Sequence, residues 1–398
     1  MKGNTDSRRA DNLSACRKFC FILISILLVI IILEVGLRLL DYTFRPDDQS
    51  VVDTKMLLSP YRDKPWAEKY FTEMHQREIQ YEPYYGWSLK PFTGEHVNID
   101  SAGLRKTWNR DFDQGVTPDT IYIFGGSTIW GGGSRDDYSI PSYLSKFLNE
   151  KGYRVHVKNY GVTGHVFTQE VVRLMMLLRE GHRPDHVIFY DGTNDVYSAF
   201  QSGVAGTFQN VARTRERLAH KTGWNEVRTS ITKPLREHSW IYRGVRKLVA
   251  MVWPRPAPHE TAEYYSPEKL NHLADNICKA YWQSMDLLDH LARQYDFKYI
   301  CFWQPVAFLE KELNPEESAS DNRLADSALA ELFQNTNELM ATSAEARFFN
   351  ITNIFSARNT TYYVDFCHLS EQGNEVVARS ISNILEKEIF THGKAGNN

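Results

Sequence analysis

The sequence lacks the motifs by which common nucleotide-binding folds hold a phosphate. Neither G-x-G-x-x-G nor G-x-x-x-x-G-K-[ST] is present in its most glycine-rich turn, residues 125–133. It also has little excess charge of either sign, with a formal net charge of -3 at pH 7. A nearly balanced charge gives no reason to expect nucleic acid as a partner. Both observations argue against a protein that binds nucleotides or nucleic acid.

Cysteine is also scarce, and its spacing excludes the usual cysteine-based metal sites. The chain has five cysteines, with no C-x-x-C pair and no metal-ligand spacing. Cys16 and Cys20 lie in or beside an apolar segment near the N-terminus. The other three are Cys278, Cys301 and Cys367, so at most one intramolecular disulfide can form among them. The cysteines therefore predict no metal.

A long apolar run near the N-terminus predicts a membrane anchor. Residues 1–18 are polar and basic, and residues 19–40 are long enough to span a bilayer if Glu34 and Arg38 lie near the far interface. These two residues are four apart, so they can pair on a helix. A cleaved signal peptide is the alternative, but no small-x-small cleavage site follows the run. We expect a single-pass protein with a cytoplasmic N-terminus, so that the bulk of the chain is exported.

The rest of the chain divides into an extension and a larger α/β domain. Residues 41–116 are rich in aromatics and turn residues, and predict a small β-rich extension packed on the main domain. From residue 117 to residue 390, strand-like apolar runs alternate with helical segments. This alternation predicts a parallel sheet in a three-layer α/β/α domain. We expect strands at residues 121–124, 153–158, 186–190, 297–303 and 347–351, and helices at 139–150, 168–180, 266–295, 321–343 and 371–388.

Residues 201–262 interrupt this pattern with a basic insertion. Within it, residues 236–253 mix basic, aromatic and apolar side chains. On a helix, one face would carry apolar side chains and the others basic ones. The apolar set is Ile241, Val245, Leu248 and Val252, and the basic set is Arg243, Arg246 and Lys247. Such a segment can rest on an anionic membrane surface, cover the mouth of an active site, or pack on the domain.

The turn after the first strand of the α/β domain carries a candidate nucleophile. Gly125 and Gly126 end the apolar strand, and Ser127 follows immediately. A serine at the carboxyl end of a buried strand lies where open α/β sheets place their ligands. The neighbouring glycines leave room for a substrate to approach the hydroxyl and the backbone N–H groups.

Three further segments follow predicted strands or precede the last helix. They contain Gly164, Asn194 and the pair Asp365 and His368. Because the carboxyl ends of parallel strands share one edge, these residues can converge with Ser127. A serine needs a base to take its proton, and the base needs an orienting carboxylate. Asp365 and His368 are three positions apart, so one helical turn or a compact loop can present the carboxylate and the imidazole to the same side.

Four short blocks in this order resemble those of the SGNH (GDSL-type) hydrolases. They are Gly125-Gly126-Ser127-Thr128, Asn159 to Gly164, Gly192-Thr193-Asn194-Asp195 and Asp365-x-x-His368. The resemblance covers about residues 117–390. One departure is that the family's usual aspartate before the serine is Gly126 here. The N-terminal anchor and the aromatic extension are also similar to membrane-anchored bacterial members.

The resemblance implies a serine esterase or deacylase that acts on acyl esters, including those of carbohydrates. Ser127 would attack the carbonyl, His368 would act as base and then acid, and Asp365 would orient His368. The N–H groups of Ser127 and Gly164, with the amide of Asn194, would form the oxyanion hole. No metal or organic cofactor is implied. Two alternatives stay open: an O-acyltransferase that uses the same triad on a polysaccharide, and a non-catalytic carbohydrate-binding protein.

Overall fold

The computed structural model describes most of the chain in two compact units. The described residues are 4–44, 54–211, 214–215, 232, 239–252, 265–355 and 360–390. One unit comprises Met1–Val52 and Glu216–His259, and the other comprises Asp53–Arg215 and Glu260–Asn398. The larger unit contains every candidate site residue.

Within the larger unit, the described residues form nine strands. They are β1 (Ile79–Glu82), β2 (Gly86–Leu89), β3 (Phe92–Thr93), β4 (Asn98–Ile99), β5 (Asp119–Gly125), β6 (Val155–Asn159), β7 (His186–Asp191), β8 (Lys298–Trp303) and β9 (Phe348–Asn350). The last five form one sheet in the order β6-β5-β7-β8-β9. Each adjacent pair in this sheet is parallel, and Ile123 of β5 lies opposite Asn159 of β6 and Ile188 of β7. The predicted parallel sheet is therefore confirmed.

Helices cover both faces of this sheet. The α-helices of the larger unit are Ala67–Gln76, Ser127–Trp130, Ile140–Glu150, Phe167–Arg179, Thr193–Ser202, Pro267–Tyr295, Pro315–Ala319, Ser327–Ala341 and Glu371–Leu385. Side chains alternate across β5: Tyr122 and Phe124 enter one apolar layer, and Ile121 and Ile123 enter the other. The three-layer α/β/α architecture is confirmed.

Two predicted helix starts are confirmed by their capping contacts. The hydroxyl of Ser139 accepts the Ser142 N–H at the start of Ile140–Glu150, and Ser266 caps Pro267–Tyr295 in the same way. The helix predicted over 321–343 is wrong in its first turn. The Asp326 carboxylate accepts two backbone N–H groups and starts a new helix there, after a 3₁₀ turn at Asn322–Ala325.

The extension contains more helix than the sequence predicts. β1 pairs with β2 and β3 pairs with β4, both antiparallel, but the helix Ala67–Gln76 accompanies them. The expectation of a β-rich segment misses this helix, because its apolar face is short and contacts tertiary partners. Tyr70 and Phe71 of the helix pack in one cluster with Trp130, which directly follows the candidate nucleophile's turn and is fully buried. The extension is thus continuous with the core at the site.

The smaller unit contains a 41-residue helix, Asn4–Phe44. Its segment Arg17–Arg38 is long and apolar enough to cross a membrane, by length and composition. The predicted pair between Glu34 and Arg38 forms, with Arg38 Nε 3.2 Å from Glu34 Oε1.

The same Glu34 carboxylate also caps a helix of the insertion, Trp240–Val252. It accepts the Ser239 hydroxyl at 3.0 Å and the N–H groups of Trp240 and Ile241 at 2.9 and 3.1 Å. Among the side chains predicted to share the apolar face, Val245 and Leu248 are exposed. The side chains of Lys247 and Val252, and most of the insertion outside this helix, lie outside the described residues.

Candidate active site

The candidate nucleophile Ser127 begins a four-residue helix directly after β5. The two glycines before it are sterically required. A Cβ on Gly126 would lie 2.0 Å from Asn194 Nδ2, and one on Gly125 would lie 2.8 Å from the Tyr190 carbonyl oxygen. In this structure a side chain at residue 126 would have to displace the Asn194 amide.

The structure brings Ser127, His368 and Asp365 into one hydrogen-bonded chain. His368 Nε2 lies 2.7 Å from Ser127 Oγ, and His368 Nδ1 lies 2.6 Å from Asp365 Oδ2. Ser127 and Asp365 are buried and His368 is half-buried. This is the geometry that a serine, a base and an orienting carboxylate need for nucleophilic catalysis.

The turn from Asp365 to His368 is organised by the carboxylate itself. Asp365 Oδ1 accepts the backbone N–H groups of Cys367 and His368 at 3.0 and 2.7 Å. This leaves Oδ2 for the His368 ring and for Lys55, whose Nζ lies 2.6 Å away. Burial raises the pKa of Asp365, but the His368 ring and the Lys55 ammonium outweigh it and hold that pKa well below its usual value. The carboxylate is therefore ionised at neutral pH.

Gly132 provides the space that the His368 ring occupies. A Cβ at this position would lie 2.7 Å from His368 Cδ2 and 3.0 Å from His368 Nε2. The contact is with a ring that is already hydrogen-bonded on both sides. A side chain at residue 132 would therefore displace the ring from Ser127.

Two backbone N–H groups beside Ser127 are available to a ligand. Neither the Ser127 N–H nor the Gly164 N–H donates to another group among the described residues. Gly164 has a φ of +79°, in the region that favours glycine. Its neighbour Thr163 lines the same cavity as Ser127 and His368. These are the kinds of donor that stabilise an oxyanion.

Asn194 is held beside Gly126 by partners on both ends of its amide. Its Nδ2 donates to the His165 carbonyl at 2.7 Å, and its Oδ1 accepts from Gln209 Nε2 at 3.1 Å. An amide nitrogen has two hydrogens, so one stays available for a ligand. Asn194 thus bonds to the residue-164 loop and lies against Gly126, which precedes Ser127.

The extension supports this loop from the outside. Trp87 of β2 donates its indole N–H to the Thr163 carbonyl at 2.9 Å, and its own carbonyl contacts His165 Nε2 at 3.0 Å. Burial lowers the pKa of His165 to about 3, so this ring is neutral at physiological pH. The sequence assigns His165 no role, and the structure places it as a support for the loop.

A cavity of about 220 Å³ opens at Ser127, and the extension forms one of its walls. The lining residues are Lys55, Phe71, Met74, His75, Arg77, Ser127, Trp130, Gly132, Gly133, Thr163 and His368. The residues numbered below 80 belong to the extension, and sequence reasoning found none of them. No pattern in the sequence marks them, because their contacts with the site arise only from tertiary packing.

Cys367 lies in the turn between Asp365 and His368, but its thiol is a poor candidate nucleophile. Burial and the adjacent Asp365 charge raise its pKa well above the usual value. Cys20, Cys278, Cys301 and Cys367 are all free thiols, and Cys16 lies outside the residues with described side chains.

Donor atoms of Asp365, Cys367 and His368 lie within 4.8 Å of one another, as in some metal sites. However, the Asp365 and His368 atoms are only 2.6 Å apart and hydrogen-bonded directly. This spacing is too short for two ligands of one ion, since each would lie about 2 Å from the metal at a tetrahedral angle.

Comparison with known proteins places the chain in a family. The sequence model of the GDSL-like lipase/acylhydrolase family matches residues 121–381. A sequence search of curated proteins gives no significant match. The chain belongs to the GDSL-like lipase/acylhydrolase family, whose members are serine hydrolases that act on ester bonds.

Solved structures similar to this chain include three esterases or lipases. The acetyl xylan esterase AlAXEase is 14% identical, with 67% of this chain and 99% of that chain covered and a TM-score of 0.37. A lipolytic G-D-S-L family protein from Veillonella parvula is 14% identical, with 68% and 98% covered and a TM-score of 0.35. A GDSL-like lipase from Bacteroides thetaiotaomicron is 14% identical, with 68% and 89% covered and a TM-score of 0.33.

Proposed function

We propose that this protein hydrolyses acyl esters through Ser127, His368 and Asp365. The observation that carries the proposal is the chain of two short hydrogen bonds from Ser127 Oγ through the His368 ring to Asp365. His368 Nε2 takes the serine proton as Oγ bonds to the ester carbonyl carbon. The same nitrogen then donates that proton to the departing alcohol, which leaves an acyl-serine.

We propose that the oxyanion is held by the N–H groups of Ser127 and Gly164 and by the amide of Asn194. Two observations support this assignment. Neither backbone N–H donates a hydrogen bond to another described group, and the Asn194 amide has a second hydrogen besides the one that it donates to His165. Water, activated by His368, then releases the acyl group as a carboxylic acid. If a sugar hydroxyl takes the place of water, the same residues transfer the acyl group instead.

We further propose that the catalytic domain, residues 117–390 with the extension 41–116, is exported and tethered by residues 19–40. The apolar helix and the basic residues that precede it support this topology. The substrate is then a small-molecule or carbohydrate acyl ester outside the cytoplasm. Reporter fusions after residue 60 should be active only outside the cytoplasm, and activity only inside it would contradict the topology.

The triad is tested with short-chain aryl acetates and a serine-reactive phosphonate. Ser127→Ala should abolish turnover and labelling while leaving the thermal midpoint nearly unchanged. His368→Ala should remove nearly all activity. Asp365→Asn should lose about 10⁴-fold in kcat, because it favours the wrong imidazole tautomer. Ser101→Ala, an exposed serine of the extension, is the matched control.

Labelling of another serine in Ser127→Ala would overturn the assignment of the nucleophile. Wild-type rates in Asp365→Asn would mean that a different carboxylate orients the ring. A sugar acceptor added to the assay distinguishes the two fates of the acyl group, since transfer gives an acylated sugar and hydrolysis gives only the free acid.

A further inference from the structure

Arg77 is a cation in the wall of the candidate active-site cavity, and it has no counterion among the described residues. It directly follows the helix Ala67–Gln76 and lines the same cavity as Ser127 and His368. Its Nε donates to the Met74 carbonyl at 2.7 Å. Its two terminal nitrogens have no hydrogen-bond partner among the described residues, and no described carboxylate lies within 4 Å of the guanidinium.

The nearby Arg105 shows what a fully satisfied arginine requires in this environment. Arg77 and Arg105 each lie over the ring of Trp130, with guanidinium carbons 4.2 and 4.3 Å from its centroid. Arg105 is buried, and it pairs with Asp136 and donates to three backbone carbonyls. Among the described residues, Arg77 has only the Met74 carbonyl as a hydrogen-bond acceptor, besides its contact with the Trp130 ring. The two arginines therefore differ in their unused hydrogen-bonding capacity.

Arg77 remains charged in this position. Burial lowers its pKa to about 10, which still leaves the guanidinium protonated at neutral pH. A charge that is half-buried without a partner costs free energy, and an anion in the cavity would recover it. The free terminal nitrogens form the planar fork that pairs with a carboxylate or a phosphate.

The other ionisable groups that line the cavity do not compete with an anion for Arg77. Among the described residues that line it, none is an aspartate or a glutamate. Lys55, the other permanent cation of the lining, is already paired with Asp365. His75 Nδ1 is bonded to the Phe71 carbonyl, so the ring is fixed on that side. Arg77 is thus the lining cation that is left to bind a substrate.

We propose that Arg77 selects acyl esters that carry a carboxylate or a phosphate, and binds that anion while the ester carbonyl lies at Ser127. This inference rests on the proposed esterase function and names the substrate class of that site. It gives Arg77 a role in substrate binding, with no part in the proton transfers. The extension thereby contributes specificity to the chemistry of the α/β domain.

The experiment compares three acetates of matched size with the detergent-solubilised full chain. They are 4-acetoxytoluene, 4-acetoxybenzoate and 4-acetoxyphenyl phosphate, so that carboxylate and phosphate are separate arms. We expect the wild type to prefer at least one anionic ester over the neutral one by tenfold or more in kcat/KM. Arg77→Met should reduce kcat/KM for that ester by about 10- to 100-fold, mainly through KM. It should change the neutral ester less than threefold.

Two further variants separate charge from packing. Arg77→Lys keeps the charge but loses the planar fork, so it should give an intermediate loss. Arg110→Met, an exposed arginine outside the cavity, should behave as the wild type. An equal loss on all three esters in Arg77→Met would overturn the proposal and leave Arg77 as a packing partner of Trp130. An absence of anionic preference in the wild type would overturn it too.

Failure of the esterase proposal is recognised separately. If the wild type turns over none of the acetates, the proposed function fails, and anion binding is then measured directly. Benzoate or phenyl phosphate should raise the thermal midpoint of the wild type and of Ser127→Ala, but not that of Arg77→Met. No shift with either anion in the wild type would contradict the anion site independently of catalysis.

Discussion

Lys55 Nζ lies 2.6 Å from Asp365 Oδ2, although the two residues are 310 positions apart in the chain. The same oxygen accepts the hydrogen bond of the His368 ring. Lys55 lies in the 3₁₀ turn Thr54–Leu57, near the start of the larger unit. The extension therefore contacts the candidate triad at Asp365, the carboxylate that is hydrogen-bonded to His368.

We expect Lys55→Met to change the pH dependence of catalysis. Removing the ammonium leaves the Asp365–His368 pair more negative, so the pair should hold its proton to higher pH. The acid limb of the kcat/KM profile should move upward by about one pH unit, so kcat/KM on the acid side of the profile should fall roughly tenfold. The measurement is a pH–rate profile on a neutral aryl acetate.

Lys64→Met removes an exposed lysine of the same extension and serves as the matched control. Its profile should overlay that of the wild type. A lower rate in Lys55→Met with an unshifted acid limb would indicate that Lys55 only packs the extension. Recovery of the wild-type profile in Lys55→Arg would support the role of charge.

We expect Gly132→Ala to lose activity without loss of the fold. The added methyl would lie 2.7 Å from His368 Cδ2, so the ring must move away from Ser127. A displacement of this size should lower kcat by about 100-fold, with a smaller effect on KM. Gly244→Ala is the control, because a Cβ there meets nothing within 4 Å. Unchanged kcat in Gly132→Ala would show that the site accommodates the methyl group.

A buried pair of carboxyl groups predicts a pH-dependent stability. Both carboxyl oxygens of Glu170, and Oδ2 of Asp191, accept no hydrogen bond from any described residue. Burial and the Asp191 charge raise the pKa of Glu170 well above its usual value. Above about pH 4.5 the native state therefore holds a proton on Glu170 that the unfolded state has released. The contribution of this carboxyl group to the free energy of unfolding is fully present at low pH and is lost as the pH rises above that value.

Glu170→Gln should remove this loss. The stability of the variant relative to the wild type should increase with pH, by up to about 1.4 kcal/mol per pH unit above the unfolded-state pKa. Unfolding monitored at pH 5, 6, 7 and 8 measures the trend, with the exposed Glu180→Gln as the control. A constant difference between variant and wild type at all four pH values would contradict a protonated Glu170.

The insertion helix Trp240–Val252 should lie at a membrane surface. Its N-terminus is capped by Glu34 of the candidate anchor segment, and it exposes Val245, Leu248 and Val249. An exposed apolar stripe on a basic helix beside such a segment is typical of interfacial binding.

An environment-sensitive fluorophore at Leu248→Cys tests this prediction in proteoliposomes that contain the full chain with Cys16 and Cys20 replaced by serine. We expect a blue-shifted emission that nitroxide-bearing lipids quench. The same label at Arg246→Cys should be less shifted, because that position lies away from the apolar stripe. Equal, water-like emission at both positions would contradict membrane contact.

Much of the α/β domain follows from local sequence patterns. The strand before Ser127, the helix capped by Ser139 and the Asp365-x-x-His368 turn were all predictable, because short-range periodicity, capping and spacing determine them. The error at residues 321–343 has the same origin, since Asp326 offers a competing cap inside an otherwise helical pattern.

The contacts between distant segments were not predictable in this way. The sequence by itself determined the order of strands and helices, the apolar N-terminal segment and the four blocks, because these depend on neighbouring residues. Only the tertiary structure decided that Lys55 meets Asp365, that Arg77 enters the cavity, and that Glu34 caps a helix about two hundred residues later. The physical reason is that a salt bridge or a cap depends on the positions of side chains in space, and a lone lysine, arginine or glutamate carries no local pattern that identifies its partner.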